Sequence, residues 1–179
     1  SMSVASAEVT KMSYNTIIGL KIAFANSAME LCEAFGGDVD DVMGALKKAH
    51  DRIISPKYLT AGMGDGGGCH PRDNIVLSHL AKTNNLSCDM PGMMMKAREL
   101  QTEWIANHAI KHSLKSGLPI AVLGRAFKPE TNIETGSPAV LCINLLKEKG
   151  FEVLNYEPFN DEKPIEEPCV FIIGCKHQI

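Results

Sequence analysis

Apolar residues between positions 5 and 35 recur every three or four residues, at Val9, Met12, Ile18, Ile22, Ala25, Met29 and Cys32, and no proline interrupts them. The period predicts one long helix, closed by Gly36 and Gly37 and spanning on the order of 45 Å at ~1.5 Å per residue. Ile17, Leu20, Phe24 and Leu31 lie off this stripe, so the helix carries apolar surface on a second side. Asp38 is placed to cap a short second helix with Val39, Val42, Met43 and Leu46 as its buried stripe. Beyond a loop over 51–68, Pro71 and Pro91 suit the first positions of a third helix to about Thr83 and a fourth to about Ser116.

After Gly117 the pattern changes. Residues 119–124, 151–156 and 169–174 are short apolar runs of strand type, the last with the look of a buried parallel strand. Ser137, Pro138 and Gly150 mark the cap, first residue and end of a helix between the first two runs. Strand, helix, strand and a third strand predict a right-handed parallel sheet. The expected fold class is therefore α plus α/β: an all-helical domain with one long helix over 1–117, then a partial, Rossmann-like α/β domain over 118–179. The acidic, proline-containing stretch 157–168 reads as a solvated loop. Ser1 ahead of Met2 reads as the remnant of a cleaved tag, and the stop soon after the third strand suggests a piece of a longer protein.

Composition narrows the function. With 179 residues, 45% hydrophobic and 22% charged, the chain is neither disordered, collagen-like nor framed by disulfides. Eighteen basic against 21 acidic residues give a net charge of -3, so neither nucleic acid nor an anionic membrane is an expected partner. With no apolar run of about 18 residues and no signal-like amino terminus, a cytoplasmic location is expected. The six cysteines are expected as unpaired thiols, most of them buried as small hydrophobes.

The sharpest chemical feature is GDGGGCHPRDN over 64–74, in which Cys69 follows a glycine run at a helix start. Backbone N–H groups and the helix dipole favour an anion there, and thiols so placed reach pKa values of roughly 3.5 to 7.5, with Arg72 able to help. Local spacing alone leaves open a buried turn cysteine. Asp73, four residues on, either faces the same cavity or partners the helix dipole. The glycine run lacks GxxxxGK[ST], and no strand leads into GxGxxG. His108 and His112 have metalloprotease spacing, but Ala109 stands where the glutamate belongs, so no metal is expected. Lys11 and Asn15, four apart on the first helix, interrupt a small or apolar surface, as ordinary solvated residues also do.

GGGCHPRD around Cys69 resembles the catalytic GGSCFPKD segment of the UDP-glucose/GDP-mannose dehydrogenases, and SAEVTKMSYN resembles their AELxKLAxN helix start. GGDVDDVMGAL is similar to GADVDEV, PKYLTAGMGDGGG to PKFLNPGxGFGG, and VLGRAFKPETN to VLGLAFKPDTD, all in the family's order over nearly the whole chain. The resemblance implies an enzyme of three parts: an amino-terminal NAD-binding domain missing here, a helical centre that pairs two subunits into a homodimer, and a domain that binds the nucleotide of a UDP-sugar or related substrate. By motif, Cys69 is implied as nucleophile, Lys11 and Asn15 as holders of the oxyanion or water, and Asp73 as an aid to proton transfer. Tyr58, Leu59 and Gly66 match the loop around the nucleotide sugar, Phe127 and Lys128 the residues near the nucleotide, and Arg52 an arginine that crosses the dimer interface. Thr135 stands where the family's DDVRESP carries an arginine that approaches the cofactor. The implied reaction is NAD-dependent oxidation of a sugar C6 alcohol to a carboxylate; the other reading is a nucleotide-sugar-binding, dimerising module without catalysis. A cysteine hydrolase is a distant third, for no histidine is placed as its base.

Overall fold

The computed structural model describes residues 2–53 and 68–177. Two compact units divide the chain, Ser1–Thr60 with Ser78–Met90 and Ala61–Leu77 with Pro91–Ile179.

In the first unit, α1 (Val4–Phe35) is one helix of 32 residues. Ser3 Oγ accepts the Ser6 N–H at 3.1 Å at its start. At its end Gly36 takes φ +70° and the Gly37 N–H returns to the Cys32 carbonyl at 2.8 Å, which supplies the stop read from the two glycines. On α1, Ala25 and Cys32 are half-buried while Met29, placed on the core stripe, is exposed. Asp38 caps α2 (Val39–Lys47) by accepting the Asp40 N–H at 2.7 Å. Its expected buried stripe is only half covered: Val39, Met43 and Leu46 are intermediate and Val42 is exposed. Two turns of helix laid on one side of α1 cannot enclose a whole face. The turn near Ser87 is tied to α1, because Ser87 gives both its N–H and its hydroxyl to the Glu30 carboxylate.

The helices α3 (Cys69–Thr83) and α4 (Met90–Ser116) follow. α3 opens two residues earlier than the proline signal suggested, with Pro71 third and the Arg72 N–H on the Gly68 carbonyl at 3.4 Å. The first turn tolerates proline because its N–H groups have no helical partner.

Gly117 ends the helices. In the second unit, β1 (Ile120–Leu123), β2 (Val153–Tyr156) and β3 (Val170–Ile173) form a parallel sheet in the order β2-β1-β3, with α5 (Pro138–Glu148) between β1 and β2 in the chain. Ile120 stands opposite Val153 and Val170, and Leu123 opposite Tyr156 and Ile173. Ile120, Val122 and Ile172 pack on Ala139, Cys142, Ile143 and Leu146 of α5 and on Ala106 and Ala109 of α4, and together they form the core. Ser137 caps α5 and Pro138 opens it, as the sequence predicts. The fold class is thus α plus α/β.

Three expectations need correction. β3 is a partly open edge strand: Ile172 is buried, but Phe171 and Ile173 alternate to the other face and are exposed. The stretch 157–168 is not wholly solvated, for Glu157 is fully buried. Of the cysteines Cys142 alone is buried, whereas Cys69 and Cys88 are exposed and the rest intermediate. No helix among the described residues is long and apolar enough to cross a membrane.

Candidate functional site

Cys69 is the first residue of α3 and is exposed, so its thiol stands at the helix end where N–H groups point outward. The buried-turn alternative therefore falls away. Arg72 lies one turn on, its Nε donating to Asp73 Oδ1 at 2.9 Å. Its guanidinium is held above its ordinary range first by that hydrogen bond, then by the charges of Asp73 and of Cys69. The Asp73 carboxylate is exposed and engaged by Arg72.

The loop 124–137 between β1 and α5 approaches this helix start. A Cβ on Gly68 would meet the Thr135 carbonyl oxygen at 3.3 Å. Arg98 of α4 holds the neighbouring turn by donating to the Gly136 carbonyl at 3.0 Å. Phe127 and Lys128 sit on the same loop: Phe127 is half-buried, its N–H on the Ile133 carbonyl at 3.0 Å, and Lys128 Nζ stands 5.4 Å from its ring centroid. One stretch of chain therefore carries both the residues expected near a nucleotide and the carbonyl seated on Gly68.

Arg125 fixes the base of this loop. It bonds Asp161 (2.5 Å) and Glu134 (2.9 Å) as ion pairs and Asn155 at 2.7 Å. Arg125 holds the Glu134 and Asp161 carboxyls below their ordinary ranges, chiefly through those hydrogen bonds. All three parallel strands end at this edge, and the strand order reverses at β1, the position where open α/β sheets receive ligands. A cleft of about 340 Å³ opens there, with Leu123, Tyr156, Pro158, Phe171, Cys175 and His177 among its walls.

A family model for the UDP-glucose/GDP-mannose dehydrogenase family, central domain, matches residues 5–101. The chain belongs to the UDP-glucose/GDP-mannose dehydrogenase family. UDP-glucose 6-dehydrogenase TuaD of Bacillus subtilis (strain 168) is 35% identical over 155 residues, which are 86% of this chain and 33% of that protein. UDP-glucose 6-dehydrogenase 5 of Oryza sativa subsp. japonica is 32% identical over 166 residues, 90% of this chain and 34% of that one. Among solved structures, a ternary complex of GDP-mannose dehydrogenase from Pseudomonas aeruginosa matches with TM-score 0.75 at 26% identity, covering 87% of this chain and 35% of that chain. A UDP-glucose dehydrogenase from Pyrobaculum islandicum matches with TM-score 0.55 at 26% identity, covering 97% and 44%. The chain spans about a third of the length of the curated dehydrogenases it matches.

Of the dehydrogenase-motif residues, Cys69, Asp73, Phe127 and Lys128 belong to the second unit, while Lys11, Asn15 and Arg52 belong to the first. Lys11 is exposed on α1, Asn15 lies within the same helix, and Arg52 is exposed in the turn after α2. Tyr58, Leu59 and Gly66 lie outside the described residues. The His108 and Trp104 rings lie against each other with centroids 4.2 Å apart and planes tilted by 51°. Residues 124–137 separate β1 from α5, so that strand does not turn directly into a helix as a dinucleotide cradle requires. Sequence reading missed Arg125, Glu157, Asp161 and His177. Their one signal is that each closely follows an apolar strand run, which parallel topology brings to a common edge.

Proposed function

We propose that this chain is the substrate-binding and pairing portion of an NAD-dependent nucleotide-sugar dehydrogenase, similar to UDP-glucose 6-dehydrogenase, that oxidises a sugar C6 alcohol to a carboxylate. The observation that carries it is the exposed Cys69 at the head of α3, with Gly68 against the loop that bears Phe127 and Lys128.

In this reading the Phe127 ring packs on the nucleotide and the Lys128 ammonium answers its diphosphate charge, while Tyr58, Leu59 and Gly66 line the sugar. Two oxidations are needed, and a nicotinamide cofactor bound outside the described residues would accept the hydrides. Cys69 holds the substrate between them. Its thiolate adds to the C6 aldehyde, forming a C–S bond and an oxyanion that the Lys11 cation stabilises. Once that carbon is a thioester, a water oriented by Asn15 adds to the carbonyl and gives up a proton with help from Asp73. The C–S bond then breaks, releasing the carboxylate and the thiolate. Arg52 reaches across a two-fold pairing toward the pocket of a second copy.

Incubating the complete protein with NAD and a panel of nucleotide sugars tests this reading. Two equivalents of reduced cofactor per carboxylate are expected with one of them, and Cys69→Ser should form no acid. Normal acid production by that variant sinks the thioester route. Absence of turnover by the complete protein with every nucleotide sugar leaves the non-catalytic binding module.

A further inference from the structure

Two fully buried titratable side chains at the carboxyl edge of the sheet, Glu157 and His177, take no part in the chemistry above. Glu157 Oε2 accepts the Ala126 N–H at 2.8 Å, and Oε1 accepts the Phe159 N–H at 3.3 Å. His177 Nε2 stands 3.1 Å from Glu157 Oε1, and its Nδ1 accepts the Glu130 N–H at 3.2 Å. Ala126 and Glu130 are the residues on either side of Phe127, Lys128 and Pro129. The segment expected near the nucleotide is therefore pinned at both ends by one buried pair. Glu130 also adopts φ +58°, a left-handed conformation that a glutamate keeps only where its surroundings impose it.

These partners determine the proton positions. A neutral imidazole offers one acceptor and one donor, so Nδ1, which receives a backbone N–H, is bare and Nε2 carries the hydrogen toward Glu157. Protonation would place an N–H on Nδ1 facing the Glu130 N–H, donor against donor. The bond to Glu157 would survive as an ion pair while the bond to Glu130 is lost. Among the described residues, the charged or titratable groups beside the pair include Glu130 after β1, Tyr156 at the end of β2, Asp161 with Arg125 against it, and Cys175 and Lys176 after β3. Asp161 is occupied by Arg125 and by the Glu157 N–H at 2.7 Å. The Cys175 thiol is pushed up by burial and then by the charges of Glu157 and Glu130.

We propose that His177 is a positioning residue for the Phe127–Lys128 segment: neutral, it latches the segment through Glu130, and protonated, it lets the Glu130 end go while Glu157 keeps Ala126. The consequence for nucleotide affinity rests on the reading of Phe127 and Lys128 given above, whereas the latch does not.

The test follows imidazole nitrogen shifts and backbone amide exchange by NMR across a pH titration of the 179-residue chain, with UDP affinity measured by calorimetry at each pH. The expected result is the Nε2–H form at high pH and, on protonation of His177, a protection factor at the Glu130 amide, taken against the intrinsic exchange rate at each pH, lower by about tenfold or more while Ala126 stays protected. UDP affinity should fall with the same midpoint. His177→Gln, which keeps one donor and one acceptor at every pH, should remove the midpoint from both readouts. An Nδ1–H form, a Glu130 amide indifferent to the titration, or loss of Ala126 protection together with Glu130 overturns the latch. So does the same pH dependence in His177→Gln. If the wild-type chain binds no UDP at any pH, the nucleotide reading fails, and the amide data still decide the latch.

Discussion

Gly68 and Thr135 touch: the carbonyl oxygen of Thr135 lies 3.3 Å from where a Cβ on Gly68 would stand, immediately before the Cys69 helix start. A larger side chain at Gly68 must push the loop 124–137 away at Thr135. Gly68→Val is therefore expected to cost roughly 1 kcal/mol of stability by urea unfolding, through local overpacking. It should also weaken UDP binding by calorimetry, since the displaced loop carries Phe127 and Lys128. Unchanged affinity with full folding would show that the Gly68 contact does not set the loop.

Gly124 is the tighter case. Its φ is +81°, and a Cβ there would lie 2.3 Å from the Cys175 carbonyl oxygen, a backbone atom that cannot swing aside. Strain and steric clash act together, so Gly124→Ala should lose roughly 2–4 kcal/mol, read as a lower urea midpoint. A loss below about 0.5 kcal/mol would mean that β1 and the segment after β3 are not so closely joined.

The Arg125 pairs make a pH prediction. Glu134 and Asp161 have carboxyls held below their ordinary values of 4.5 and 3.8. A carboxyl depressed in the folded state binds fewer protons there than when unfolded, so its stabilisation is full above the unfolded value and is lost as pH falls through the folded one. Stability should therefore decline below about pH 4.5, and Arg125→Met should flatten that decline. At neutral pH the substitution should cost about 2 kcal/mol, less than for a fully buried pair because both carboxylates are near one-third exposed. An unchanged slope in the variant would assign the acid sensitivity to other groups.

What the chain revealed in advance follows from how far apart the interacting residues lie. The stop at Gly36, the cap at Asp38 and the start at Ser137 and Pro138 are set by neighbours within one turn, so sequence spacing contains them. Cys69 was legible for the same reason, as a glycine run leading into a helix. Arg125 and Asp161, or Glu130 and His177, meet only because three parallel strands end at one edge. An acidic, proline-containing stretch looks solvated until that edge is assembled. The open face of β3 was equally hidden, because periodicity does not tell an edge strand from a central one.

Thiol reactivity separates Cys69 from the cysteines whose thiols burial raises. Burial pushes the Cys142 thiol up to about 11 and raises that of Cys175, while Cys69 is exposed at a helix start. Limiting iodoacetamide at neutral pH should label Cys69 ahead of Cys142 and Cys175, with Cys142 last. Mass spectrometry showing Cys32, Cys142 or Cys175 modified first would withdraw Cys69 as nucleophile.

The long helix gives the last prediction. Leu20 and Phe24 are 57% and 44% exposed on α1, one turn apart and off the stripe assigned to the core. Fully burying such a side chain is worth about 1.5–3 kcal/mol, so a face holding both gains by finding a cover. A second copy of the same helix across a two-fold axis supplies one, because a self-complementary face pairs with itself and two-fold dimers are the commonest assemblies. We therefore expect a dimer by light scattering after size exclusion. Leu20→Glu with Phe24→Glu should dissociate it, since four carboxylates would then sit in one apolar seam. The core of β1, β2, β3 and α5 contains neither residue and should stay folded by circular dichroism. A mass near 19.4 kDa for the wild-type chain, constant across micromolar concentrations, would reject the pairing and leave that face of α1 to a different cover.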